Sequence, residues 1–351
     1  MNSKVWNRIV LLGTLLLLGA CAAITVVIDP FFQYHGPLEV LGYPLEDERY
    51  QNDGIIEFFD YDAIITGSSM CENFSTRQFD SLWGTKSIKV AFAGGSYKEI
   101  DENLNKALSL NDNVRYVLRS IDYSSMMSDK DDMLSIGAPR PTYLYDNNIF
   151  NDVSYLFNKE VLLDTDATVV GYTLGGGKTT SFDQYANWSD DFEYGREAIL
   201  YDYERPAECE EQPLSGMQLK TMRDNISQNI IATVSEHEDV TFYLFFTPYS
   251  IMYWDMIYRN GTLNARIDAE KCAIEMLLEC PNVKLYSFCT NFEMVCDLNN
   301  YKDQAHFGQW INSKILSWMS VDEYLLTKDN YEAYIDTIRE FYTTYDYDSL
   351  Y

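Results

Sequence analysis

The chain has 351 residues, of which 46% are hydrophobic, so it contains enough apolar side chains for a sizeable core. Its 54 acidic and 26 basic residues give a formal net charge of −28 at pH 7. Such an acidic surface repels nucleic acid and anionic lipid headgroups, which argues against nucleic acid as a partner.

An apolar segment near the N-terminus is the first predicted element. Residues 9–28 carry no charge and have about the length needed to cross a bilayer. Lys4 and Arg8 precede the segment and acidic residues follow it, so the positive-inside rule predicts that the rest of the chain lies outside the cytoplasm. We therefore expect residues 1–28 to anchor a single-pass, extracytoplasmic protein in the cell membrane.

Two alternatives account for the same apolar segment. One is a cleaved signal peptide, and the other is a lipoprotein signal with a lipid on Cys21, in the sequence Leu18-Gly19-Ala20-Cys21. The apolar run continues to Ile28, well beyond Cys21, which favours the uncleaved anchor. All three interpretations place the rest of the chain in the same compartment.

The remaining chain alternates strand and helix patterns. We expect residues 29–60 to be a connector packed on the main domain, and residues 61–351 to form that domain. Strands are predicted at 61–66, 87–92, 114–121, 241–246 and 283–287. Helices are predicted at about 73–82, 97–110, 215–236, 264–278 and 321–342. This alternation predicts an α/β domain with a central parallel sheet covered on both faces.

The pattern is lost between about residues 125 and 215, which is too long for an ordinary loop. We interpret this segment as an insertion at the carboxyl end of the third strand. Open parallel sheets bind ligands at that edge, so the insertion either shapes a cleft or is a peripheral decoration.

The seven cysteines include no CxxC pair, which argues against a zinc site. In an oxidising exterior, Cys289 and Cys296 could either form a disulfide or remain as two free thiols.

A small-residue turn, Gly67-Ser68-Ser69-Met70, follows the first predicted strand. A serine hydroxyl acts as a nucleophile only when it is exposed and has a base nearby. A sharp turn between a strand and a helix would expose the Ser69 hydroxyl, and the helix N-terminus would supply N–H groups for an oxyanion.

The chain has only three histidines, which limits the candidates for that base. His306 is favoured because Asp303, one helical turn earlier, could accept the second ring N–H and orient the imidazole. Alternatively, His306 has only a structural role at the start of a helix, where Asp303 is the capping residue. His237 lies in a charged helix end and His35 lies in the connector, so both are weaker candidates.

A second glycine turn, Ala93-Gly94-Gly95-Ser96, lies between the second strand and a helix. Glycine allows a backbone N–H to approach a substrate oxygen closely, as an oxyanion hole requires.

Together these motifs resemble the SGNH/GDSL hydrolase superfamily, and in particular the membrane-anchored SGNH proteins of Gram-positive bacteria associated with teichoic-acid D-alanylation. The resemblance implies a three-layer, flavodoxin-like α/β domain. It gives Ser69 the nucleophile's position and matches Asp303-Gln304-Ala305-His306 to the family's Asp-x-x-His block. It also assigns oxyanion N–H groups to Ser69 and to Gly94 or Gly95.

One family motif is missing. Where the family has Gly-x-Asn-Asp after the third strand, this chain has Arg119-Ser120-Ile121-Asp122-Tyr123. The asparagine that normally serves as the third oxyanion donor is therefore unassigned, and Asn73 is a possible substitute.

The resemblance implies a serine esterase or acyltransferase that acts on acyl groups of cell-envelope polysaccharide or teichoic acid. Such an enzyme requires no metal or organic cofactor. The expected partners are an acylated cell-envelope glycopolymer as substrate and the membrane through the N-terminal helix. The missing asparagine motivates an alternative, a catalytically silent scaffold that binds a glycopolymer or a membrane partner.

Overall fold

The computed structural model describes residues 2–133, 140–146, 148–201 and 203–351. The chain forms two compact units, one from residues 1–59 and 138–185, and the other from residues 60–137 and 186–351. We call them unit 1 and unit 2. Almost the whole predicted connector shares a unit with the middle of the predicted insertion. Residues 134–139, 147 and 202 of that insertion lie outside the described residues.

The α-helices of the described residues are numbered in chain order. They are α1 Ser3–Ile28, α2 Glu48–Phe58, α3 Thr76–Trp83, α4 Tyr97–Leu110, α5 Tyr123–Met126, α6 Val153–Leu156, α7 Asp166–Leu174, α8 Arg196–Tyr201, α9 Gly216–Ile226, α10 Ala232–Glu236, α11 Ile251–Arg259, α12 Leu263–Leu277, α13 Phe292–Cys296, α14 Gln309–Met319 and α15 Tyr331–Thr344.

Unit 1 contains the N-terminal helix α1, which is long and apolar enough to cross a membrane. The helix ends at Ile28, and the next residue, Asp29, adopts a left-handed backbone conformation with φ of 47°. The buried Asp29 carboxylate accepts backbone N–H groups from Gln33, Tyr34 and His35, as well as the hydroxyl of Tyr155. These bonds fix the direction of the chain as it leaves α1.

Unit 2 is built on a six-stranded sheet. Its strands are β1 Ala63–Gly67, β2 Ser87–Ala91, β3 Tyr116–Ile121, β4 Thr241–Phe246, β5 Val283–Ser287 and β6 Leu325–Leu326. Their order is β2-β1-β3-β4-β5-β6. The first five are parallel and β6 is antiparallel to β5. The order of the parallel strands is that of flavodoxin-like doubly wound sheets, which bind ligands at the carboxyl ends of their strands.

The central strands are buried on both faces. Every residue of β1 and β2 is buried, as are five of the six residues of β3. Strands with no solvent-facing side belong to a parallel sheet with helices on both sides. Helix α3 packs against β2, α4 against β1 and α12 against β5. The predicted α/β domain with a central parallel sheet is thus present.

Two predicted helices differ in the structure. The predicted helix 215–236 is interrupted by a π-helical segment, Ser227–Ile231, between α9 and α10. The predicted helix 321–342 begins only at Tyr331, because Leu325–Leu326 form the edge strand β6. An edge strand of two residues is too short for its alternation to be distinguished from a helical pattern.

All seven cysteines lie within the described residues and all are free thiols. Of the two possibilities for Cys289 and Cys296, the structure therefore has the unpaired one. Cys289 is fully buried, and burial raises the pKa of its thiol to about 12. Such a thiol is inert as a nucleophile.

Candidate active site

The turn after β1 exposes Ser69. Gly67, the last residue of β1, has a φ of 141°, and a Cβ on it would lie 2.5 Å from the Ser120 hydroxyl. Only glycine fits this position. A single 3₁₀ turn, Ser69–Cys71, follows. Ser69 is its first residue, and its N–H has no hydrogen-bond acceptor among the residues that the structure describes.

Ser69, His306 and Asp303 form one hydrogen-bonded chain. The Ser69 Oγ lies 2.8 Å from Nε2 of His306. The other ring nitrogen, Nδ1, lies 2.8 Å from Oδ2 and 3.0 Å from Oδ1 of Asp303. This is the hydrogen-bonding arrangement that a serine nucleophile, a histidine base and an orienting carboxylate have in a catalytic triad.

A tight loop holds both the base and its carboxylate. Tyr301 and Phe307 pair as an isolated β-bridge that closes the loop. Within it, Oδ1 of Asp303 accepts the backbone N–H groups of Ala305 and His306, each at 2.8 Å. Burial acts to raise the pKa of Asp303, but the hydrogen bonds and the imidazole of His306 outweigh it and lower the pKa. The carboxylate is therefore ionised at neutral pH, as an orienting group requires.

Aromatic side chains pack behind the imidazole. The Trp188 ring meets the His306 ring edge-on, with centroids 5.5 Å apart. The ammonium of Lys302 lies 3.9 Å from the centre of the Trp188 ring and 3.5 Å from that of Phe192. Burial lowers the pKa of Lys302. The cation–π contacts fix Trp188, and Trp188 limits the rotation of His306.

A cavity of about 390 Å³ opens at the triad. It lies at the carboxyl ends of the strands. Its walls are made by Ser68, Ser69, Met70, Ala93, Gly94, Asp122, Ser124, Ser125, Tyr249, Ala305 and His306. The walls combine a few hydroxyl groups with small and apolar side chains, which is typical of a small-molecule site.

Two backbone N–H groups can serve as oxyanion donors. Gly94 lines the cavity with a φ of 61°, and its N–H has no acceptor among the described residues. Gly95 does not line the cavity, and its N–H donates to the Phe92 carbonyl at 2.8 Å. Of the two predicted glycines, Gly94 is thus the one with an available donor. The second donor is the N–H of Ser69.

Asn73 does not line the cavity. Its side chain is buried, and its Oδ1 accepts the backbone N–H of Trp188 at 3.1 Å. Its Nδ2 is a buried donor with no acceptor among the described residues. The Oδ1 contact supports the segment that packs on His306, and the role of Asn73 as an oxyanion donor stays a prediction.

Asp122 organises the turn that carries Ser69, a role that sequence reasoning missed. Its Oδ2 accepts the hydroxyls of Ser68 at 2.6 Å and Ser120 at 3.0 Å, and its Oδ1 accepts the Tyr249 hydroxyl at 2.9 Å. Ser68 in turn accepts the backbone N–H of Met70. The position of Asp122, directly after a buried strand, is the sequence signal that could have revealed it.

The two remaining histidines lie away from the triad. In unit 1, the ring nitrogens of His35 face the carbonyl oxygens of Gly36 and Val26. In unit 2, His237 lines a separate surface cavity that includes Leu108 and Val240. The described residues contain no cluster of three or more His, Cys, Asp or Glu side chains that could hold a metal.

Comparisons with protein-family models, with curated proteins and with solved structures find no match to this chain. Functional conclusions therefore depend on the geometry of the site.

Proposed function

We propose that the chain is a membrane-anchored serine esterase or acyltransferase of the SGNH type. The contact between the Ser69 hydroxyl and Nε2 of His306, at 2.8 Å, carries this proposal. These residues are 237 positions apart, so their contact is not a by-product of local structure. The short Asp303–His306 contact adds the orienting carboxylate that a serine–histidine pair requires.

In the first half-reaction, Oγ of Ser69 attacks the acyl carbonyl carbon and His306 Nε2 accepts the hydroxyl proton. Asp303 stabilises the imidazolium. The N–H groups of Ser69 and Gly94 hold the negative oxygen of the tetrahedral intermediate. Collapse of the intermediate breaks the ester bond, and the leaving alcohol takes the proton from His306.

In the second half-reaction, water or a sugar hydroxyl gives its proton to His306 and attacks the acyl-serine. The product is a free acid in the first case and a new ester in the second, and Ser69 regains its proton. All groups that move protons belong to the chain.

The substrate follows from the proposed location. Helix α1 has the length and apolarity of a membrane anchor, and Lys4 and Arg8 at its start favour an extracytoplasmic position for the rest of the chain. An ester hydrolase held at the outer membrane surface meets the acyl groups of cell-envelope polysaccharide or teichoic acid. The family resemblance points to the same substrates.

A serine-directed fluorophosphonate probe tests the proposal. We expect the full-length protein to be labelled, and Ser69→Ala to abolish both labelling and hydrolysis of p-nitrophenyl acetate. Ser124→Ala is the matched control, because Ser124 lines the same cavity without contacting His306. It should retain labelling. A folded protein that is unlabelled and inert toward acyl esters, yet binds wall polymer, would favour the silent scaffold instead.

A further inference from the structure

Unit 1 presents an apolar stripe along α7 and the residues just before it. Leu163, Ala167, Val170 and Leu174 are all exposed, and their spacing of three or four residues places them on one side of the helix. Leu163 is 66% exposed and Leu174 is 83% exposed. Single exposed apolar residues are ordinary, but a row of them is a mark of an interaction surface.

The elements that carry this stripe pack along the N-terminal helix. Helices α6 and α7 and the π-helical segment Val161–Thr165 all contact α1. The hydroxyl of Thr25, on α1, donates to Asp166, the first residue of α7, at 2.9 Å. The helix that carries the stripe is therefore packed beside the helix that would cross the membrane.

Unit 1 covers α1 well below the end of that helix. Thr25 is buried, and Cys21 and Ala22 are partly buried, although the preceding helical residues are exposed. Residues 21–28 span about 12 Å at the helical rise of 1.5 Å per residue. Part of unit 1 thus lies beside about the last 12 Å of the apolar segment.

A bilayer that ended before residue 21 would leave too little apolar helix. Residues 9–20 span about 18 Å, against a hydrocarbon core about 30 Å thick. Arg8 and Lys4 would then lie in the hydrocarbon, which is costly for charged groups. The whole segment 9–28 matches the core, so the bilayer has to reach the level of Asp29.

From this geometry we propose that unit 1 is partly embedded in the membrane, with the stripe on α7 in contact with lipid acyl chains. These acyl chains belong to the leaflet that surrounds the C-terminal end of α1. This inference depends on the proposed insertion of α1. It adds a second hydrophobic contact with the membrane. Helix α1 would cross the bilayer, whereas α7 would lie within one leaflet as an interfacial helix. Phe150 and Phe157, earlier in the same unit, are also exposed.

Quenching by brominated lipid tests the proposal on the full-length chain. The protein is reconstituted in phosphatidylcholine vesicles whose acyl chains carry bromine. We expect the additional tryptophan of Leu163→Trp and of Leu174→Trp to be strongly quenched relative to the wild type. Val321→Trp is the control, since Val321 is 72% exposed in unit 2. Its tryptophan should keep the quenching of a water-exposed indole. Equal quenching at all three positions, or none at positions 163 and 174, would overturn the proposal.

Leu16→Trp separates failure of this inference from failure of the anchor. Leu16 lies in the middle of the apolar segment of α1 and is exposed, so the quenching of a tryptophan at this position reports whether α1 itself enters the bilayer. A quenched tryptophan at position 16 with unquenched stripe variants would reject only the embedded stripe. An unquenched tryptophan at position 16 would reject the anchor as well.

Photo-crosslinking with a lipid that carries a reactive acyl chain avoids tryptophan substitution altogether. On the unmodified chain in native membranes, we expect lipid adducts on the peptide that contains residues 163–174. A protein adduct on that peptide instead would show that a membrane protein covers the stripe, and would overturn the proposal.

Discussion

At the scale of single residues, the most informative group is the Asp303 carboxylate. It accepts a hydrogen bond from Nδ1 of the His306 ring and two more from backbone N–H groups of its own loop. The same side chain thus shapes the loop and orients the base. These two roles can be separated, because an asparagine keeps an acceptor oxygen for the backbone but has no charge to stabilise the imidazolium.

We therefore expect Asp303→Asn to fold normally and to lose kcat for ester hydrolysis by roughly 10³- to 10⁴-fold. Thermal unfolding, compared with the wild type, checks the fold, and steady-state kinetics measures the loss. A variant that keeps wild-type kcat would show that Asp303 is only a loop cap.

Sequence reasoning selected Ser69, His306 and Asp303, and the structure brings these three together. The small number of histidines and the spacing of Asp303 and His306 were sufficient to select the histidine and the carboxylate. The turn after the first predicted strand was sufficient to select Ser69. Trp188 and Lys302 escaped notice because their importance comes from contacts across distant segments. A tryptophan in a loop carries no sequence signal for the ring that it will pack against.

At the scale of elements, the turn that carries Ser69, after β1, depends on the segments that follow β3 and β4. Asp122, directly after β3, ties together Ser68 from the turn after β1 and Tyr249 from the segment after β4. This is a positioning role, because the carboxylate holds the turn that carries Ser69. Burial of Asp122 makes each of these bonds more costly to lose than a surface bond.

Asp122→Asn places an N–H group against hydroxyls that now donate, so the turn has to shift. Since a misplacement of about 1 Å costs up to about 100-fold in rate, we expect kcat to fall roughly 10- to 100-fold with KM little changed. Tyr249→Phe, which removes only one of the hydroxyl donors, should have a smaller effect. A larger loss in Tyr249→Phe than in Asp122→Asn, at equal thermal stability, would contradict the positioning role.

The parallel strands were predicted to within about two residues of their observed bounds, because buried strands in such sheets are short continuous apolar runs. The C-terminal region was not, since β6 has only two residues and lies at the sheet edge. The grouping of residues 138–185 with residues 1–59 also has no signature in the sequence. It results from contacts between segments such as α1 and α7, over 100 residues apart.

At the scale of the whole molecule, the chain combines an apolar helix with a highly acidic body. The formal charge of −28 favours an exterior that stays in water, whereas α1 favours lipid. A protein with both features is expected to work at a membrane surface on substrates that it meets there.

The proposed topology predicts that a membrane-impermeant fluorophosphonate labels the protein in intact cells that express it, with the same yield as after detergent permeabilisation. The physical reason is that Lys4 and Arg8 keep the N-terminus inside and the site of Ser69 outside. The Ser69→Ala variant shows the background labelling. Labelling that occurs only after permeabilisation would place the site in the cytoplasm.

In the proposed mechanism, the two reacting groups are far apart in the chain. The hydroxyl is contributed by residue 69 and the imidazole by residue 306, a separation of 237 positions. A polypeptide that is still being synthesised therefore has no general base for Ser69 until residue 306 has been added. The proposed activity can arise only after the sheet that brings these two groups together has formed.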